Sequence, residues 1–210
     1  MKRFRDFAIG VVCIAAAVAV VFAITCCWTW HKHNVAQEQF LSEHTQYMEA
    51  VYPRVAECAY HVLAQHVRVP SESDYAHADE AMLDELREKL GHLNDSSGFA
   101  RMVEGYDYSD FISEVQSRLY SRMVDRPLAE QGIRLGSDAY AEGFKKILDA
   151  NSDIQRFFAA HDLLNDVFWT GGGVIYSGLS RSYPWEKFQK DRQEFKKLKV
   201  ELDGLLAQMN

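Results

Sequence analysis

Cysteine is scarce in this chain. Three of its four cysteines, Cys13, Cys26 and Cys27, lie in the N-terminal segment, and Cys58 stands alone in the remainder. One thiol builds no internal disulfide framework, so the stability of the body has to come from packing. Proline is equally sparse, with four residues, and the composition of 48% apolar and 25% charged residues excludes a largely disordered chain. No stretch alternates apolar and polar residues in the manner of a half-buried strand, which argues against a sheet. Internal repeats and low-complexity tails are also missing.

Positive charge is in deficit. The formal net charge is −7, and because Lys2, Arg3, Arg5 and Asp6 contribute +2, the rest of the chain carries −9. Such a body has no electrostatic footprint for nucleic acid or for anionic lipid headgroups, and nucleic acid is excluded as a partner. At 210 residues the chain still has enough length to bury a proper core once an N-terminal segment is set aside.

What is abundant is concentrated at the start. Phe7 to Ile24 carries no charge, and after Asp6 the next charged residue is Lys32. At ~1.5 Å per helical residue this run crosses a hydrocarbon layer of ~30 Å. Trp28 and Trp30 follow where an aromatic belt would sit, and the basic residues before the run set an N-inside orientation. Residues 7–30 are therefore expected to contact the membrane, with residues 1–34 as the anchor and the acidic body outside. A cleaved signal is the competing reading, with Val21-Phe22-Ala23 as cleavage site. The run is longer than the usual h-region of ~7–15 residues, which favours the uncleaved anchor. Cleavage would secrete the same domain. In a bacterium the body would be periplasmic, on the outer side of the inner membrane. Cys26 and Cys27 fit a lipoprotein signal poorly, because Thr25 rather than a small residue precedes Cys26.

After residue 34 helical periodicity dominates. Phe40, Tyr47, Met48, Val51, Val55, Cys58 and Val62 share a face, with a boundary or kink expected at Pro53. Ser73 or Asp74 opens a helix through Met82, Leu86, Leu90 and Leu93, and Ser96-Ser97-Gly98 is a turn. Phe111, Ile112, Val115, Leu119 and Met123 mark the next helix, which Pro127 is expected to stop. Ser137 or Asp138 caps one further helix and Ser152 opens another. The expected fold is all-α: an N-terminal transmembrane helix followed by a bundle of about five to seven helices, with the extracytoplasmic bundle domain over residues 35–180. A Gly/aromatic-rich loop from Trp169 to Gly178 precedes the last helix, since Gly171-Gly172-Gly173 is too flexible to continue a helix. Residues 181–210 form that amphipathic helix, opened by Pro184. Phe188, Phe195, Leu202 and Met209 fall seven apart, so it either docks on the bundle or self-associates.

Candidate chemistry is thin. His161-Asp162 resembles the dipeptide that binds a divalent metal in the all-helical HD phosphohydrolases, and a metal-dependent hydrolase is the reading it implies. Leu163-Leu164-Asn165 lacks the small residue and lysine usual in that family, and a core-edge histidine beside a solvated acid explains the pair. Glu57/His61 and Glu88/His92 are four apart rather than the three a di-iron bundle uses, and read as surface contacts. His31-Lys32-His33 reads as juxtamembrane polarity. Gly171–Gly173 lacks the Lys-Ser/Thr of a phosphate loop. No serine or cysteine occupies a nucleophile elbow, and Cys58 reads as a small core residue. Asn94-Asp95-Ser96 is a glycosylation sequon, relevant in a eukaryote. No catalytic residue, metal or cofactor is expected.

The stretch from Trp169 to Trp185 concentrates residues favoured at interface hot spots. Trp169, Gly171, Gly172, Gly173, Tyr176, Arg181 and Trp185 form the expected binding surface. The leading functional reading is a membrane-anchored protein-protein interaction or scaffold module of a cell-envelope assembly, not an enzyme. The alternative is a ligand-binding sensory bundle, against which stands the lack of a second apolar segment leading to an output domain.

Overall fold

The computed structural model describes residues 2–67, 76–95, 105–176 and 183–209. The expected caps Ser73 and Asp74 and the turn Ser96-Ser97-Gly98 lie outside these residues. Within them every regular element is helical: α1 Lys2–Val67, α2 Ala76–Asp95, α3 Gly105–Tyr120, a π-helical turn Ser121–Asp125, α4 Arg126–Glu130, α5 Asp138–Ala150, α6 Ser152–Tyr176 and α7 Trp185–Met209. The all-α class and the apolar N-terminal helix follow from the period and the charge-free run.

α1 spans 66 residues, about 100 Å at the helical rise, and it does not break at Pro53. Proline removes one backbone bond and crowds the preceding turn, a cost of roughly 3 kcal/mol in a helix interior. Burial on both sides offsets it here. Val51, Val55 and Ala56 are at most 1% exposed and Tyr52 is buried beside them, so the core clamps the axis across the proline. Pro127 likewise fails to end its helix. The Arg126 N–H reaches back five residues to the Ser121 carbonyl, and this widened turn carries Pro127 into the first turn of α4.

Long-range side-chain contacts set the register. α6 runs antiparallel to α1, with His66 Nε2 on Asp153 Oδ2 at 2.7 Å at one end and His44 Nε2 on the Val167 carbonyl at 2.9 Å further down. α7 runs parallel to α1: Trp185 lies against His33, Phe188 against Phe40, and Asp203 accepts from Tyr47 and Arg54. α3 also runs parallel, with Tyr108 stacked on Tyr52 and Arg122 near the Val67 carbonyl, and α2 returns alongside it through Asn94–Tyr108 and Asp79–Arg122. One large core joins α1, α2, α3, α6 and α7. A smaller one, of Val124, Leu128 and Tyr140, lies beyond the Val67 end of α1. Ser137 caps α5 there by accepting from the Tyr140 N–H. Gly143 on α5 faces Leu128 so closely that an added Cβ would fall 2.5 Å from its Cδ2.

Candidate functional site

From Val12 to Lys32 every side chain of α1 is exposed, and packing begins at His33. The exposed stretch has a mean hydropathy of 2.4 over its best eighteen-residue window, long and apolar enough to cross a membrane. Its C-terminal end carries Trp28, with the Lys32 ammonium 3.6 Å from the ring centroid, and the exposed Trp30. The bundle starts one residue past Lys32.

The first contact above that line is made by α7. Pro184 precedes the helix, and its carbonyl accepts from the Phe188 N–H at 3.0 Å, which starts the α7 ladder. Trp185 then stacks on His33 with ring centroids 3.9 Å apart and planes 5° from parallel. Phe188 packs edge-on against Phe40, and Phe195 packs on Phe40, His44 and Tyr47. Phe188, Phe195, Leu198, Leu202 and Leu206 are all buried against α1 and α6. An open cleft of about 260 Å³ lies on this helix, lined by Trp185, Phe188, Gln189, Arg192, Gln193 and Lys196. Arg192 Nε is buried in it with no hydrogen-bond partner among the described residues.

Of the sequence-derived surface, the side chains of Trp169 and Trp185 are described. Trp169 lies on α6 with 63% of its area exposed and its ring edge-on to Phe168. Gly171, Gly172 and Gly173 do not open a loop; α6 continues through them to Tyr176. Three glycines cost roughly 1 kcal/mol each relative to alanine, but Val174, Ile175 and Tyr176 follow, and extending the helix satisfies their backbone groups. The side chain of Tyr176 and all of Arg181 lie outside the description. Trp185 is half-buried rather than free to act as an exposed anchor.

The other candidates separate. His161 Nδ1 sits 3.6 Å from Asp162 Oδ1, but the histidine faces inward while the aspartate side chain is 79% exposed. No group of three His, Cys, Asp or Glu suited to a metal occurs among the described residues. Glu57 and His61 are both exposed, and Glu88–His92 is an exposed pair at 3.6 Å. Cys58 is buried, and burial pushes its thiol pKa up. A second cleft, between α2 and α3, includes Lys89, Asp107, Asp110 and Glu114. Hydrogen bonds from Lys89 and Arg118 hold Glu114 below the usual carboxylate range.

Two features escaped the sequence reading. His44 is 1% exposed, with Nε2 on the Val167 carbonyl and Nδ1 unpartnered among the described residues. The second is charge segregation along α7. Residues 185–199 hold six basic residues (Lys187, Lys190, Arg192, Lys196, Lys197, Lys199) against three acids (Glu186, Asp191, Glu194), a local +3. A sum over the whole chain conceals this patch. No protein-family model, curated protein or solved structure matches this chain.

Proposed function

We propose that the chain is a single-pass membrane protein whose acidic helical body acts outside the cytoplasm as an interaction module of a cell-envelope assembly. The observation that carries this reading is the continuity of α1: one helix supplies both a bare apolar stretch and the central strut of the bundle core. A rigid joint of this kind fixes the height and angle of the body above the bilayer, which a flexible tether would not. Lys2, Arg3 and Arg5 ahead of the apolar run support an N-inside orientation. The partner surface in this reading centres on Trp169 and continues through Gly171–Gly173 and Tyr176 to Arg181.

The test is site-specific photo-crosslinking from position 169 in native membranes, alongside protease digestion of sealed vesicles. An adduct with one other protein or a second copy, lost in Arg181→Ala, supports the reading. Absence of any adduct, or digestion of the body from the cytoplasmic side, sinks it.

A further inference from the structure

The N-terminal half of α7 sits at the level where the apolar part of α1 ends. Trp185 is held against His33, three residues above Trp30, and α7 climbs away from that point beside α1. Helical rise puts Lys187 about 3 Å and Arg192 about 10 Å further along than Trp185. Both distances compare with the depth of a headgroup layer and with the ~8–10 Å screening length of physiological salt. Trp28, Trp30 and Trp185 thus form successive aromatic levels, the arrangement that suits amphipathic rings at a bilayer surface.

The charge on this segment is of the right sign and is unevenly committed. Lys187 lies over the Tyr183 ring with its nitrogen 5.2 Å from the centroid, and the nearby acid Asp191 accepts from the Tyr183 hydroxyl. Arg192, in contrast, keeps a buried Nε with no partner among the described residues, and it lines the cleft together with Lys196, Gln189 and Gln193 over the rings of Trp185 and Phe188. Guanidinium, ammonium and two amides over an aromatic floor make a set of donors for a phosphate diester whose glycerol and upper chain lie on the rings. The positive end of the α7 dipole points the same way. Beyond this half the charge reverses, with Glu201 and Asp203 on the distal part of the helix. The acids on α1 nearest in sequence to His33 are Glu38 and Glu43.

We propose that the cleft formed by Trp185, Phe188, Gln189, Arg192, Gln193 and Lys196 binds the phosphate headgroup of an anionic lipid from the bilayer that α1 crosses, seating the bundle on the membrane surface. This rests on the anchored reading above.

The experiment uses the full chain in nanodiscs of phosphatidylcholine alone and of phosphatidylcholine mixed with phosphatidylglycerol, read by amide hydrogen exchange. Amides of residues 185–197 should exchange about fivefold more slowly with the anionic lipid, the factor expected of one basic residue at a charged surface. The quadruple variant Lys187→Gln, Lys190→Gln, Arg192→Gln, Lys196→Gln should lose that difference while keeping its melting temperature. Rapid exchange of residues 12–30 in both discs would remove the anchored reading and this proposal together. Protected residues 12–30 with equal exchange of 185–197 in both discs would overturn the headgroup site alone. So would slow exchange reproduced by adding inorganic phosphate to phosphatidylcholine discs, or lipid dependence that survives in the quadruple variant. Lipid-independent exchange together with cross-linking of position 185 to another protein would assign the cleft to a protein partner instead.

Discussion

His44 is the residue whose environment is most at odds with its chemistry. Its Nε2 must donate to the Val167 carbonyl, so the neutral ring keeps its lone pair at Nδ1, where no donor meets it among the described residues. Burial lowers its pKa below 6.5, and the rings of Phe40 and Phe195 pack around it. The unfolded chain therefore takes up the proton before the folded one does. Stability is full above about pH 6.5 and falls as pH drops below it, with a slope approaching ~1.4 kcal/mol per unit until the folded ring also protonates. Urea unfolding of the wild type at pH 7 and pH 5 should show this loss. His44→Gln, which retains a donor toward Val167, should lessen it. The raised pKa of the Cys58 thiol predicts a second residue-level outcome: maleimide should leave Cys58 unmodified in the native chain and label it once urea unfolds the body. The burial of His44 escaped the sequence reading although it falls four residues after Phe40, because a histidine does not mark an apolar face. Its partner was not legible either, because Val167 lies 123 residues away.

At the scale of the element, α1 and α4 show where local rules yield and where they hold. If α1 runs straight through Pro53, Pro53→Ala restores a backbone bond and should raise stability by about 1–3 kcal/mol, read by chemical denaturation. A loss would mean that the proline sets a bend the core needs. α4 ends by rule. The Gly132 N–H bonds to the Ala129 carbonyl and the Ile133 N–H to the Leu128 carbonyl, with Gly132 at φ +74°, which is the Schellman arrangement. Gly132→Ala should cost about 1 kcal/mol, because a Cβ strains the left-handed backbone. α7 tests docking: Phe195→Ala should destabilise by about 3–5 kcal/mol, whereas Val200→Ala, at a site 72% exposed, should change little. The seven-residue spacing of Phe188, Phe195 and Leu202 was plain in the sequence. Whether that seam meets its own bundle or a second chain is a tertiary matter, and here the three side chains are buried on α1 and α6.

For the whole molecule, the governing feature is an apolar stretch that none of the described residues covers. Val12, Ile14, Val18, Val20, Val21, Phe22 and Ile24 are each 58–70% exposed. A patch of that extent drives association in water. The full chain should therefore elute from size-exclusion chromatography as a single species in detergent and as large aggregates without it. The polarity of the bundle follows from the same helix. Because α6 descends and α7 ascends beside α1, the ends of the Trp169–Trp185 segment lie at the bundle end that adjoins the apolar stretch, and the small α4–α5 core lies at the opposite end.

The sequence by itself determined the helical class, the apolar helix, the absence of a disulfide framework and most of the inward faces. These are local properties: a period of 3.6, a run without charge, a count of thiols. Only the tertiary structure decided that α1 continues through Pro53, that α6 continues through Gly171–Gly173, that His33 stacks on Trp185, and that the basic half of α7 begins just past the end of the apolar stretch. Each depends on which distant side chains a residue packs against, and spacing along the chain carries no record of that register.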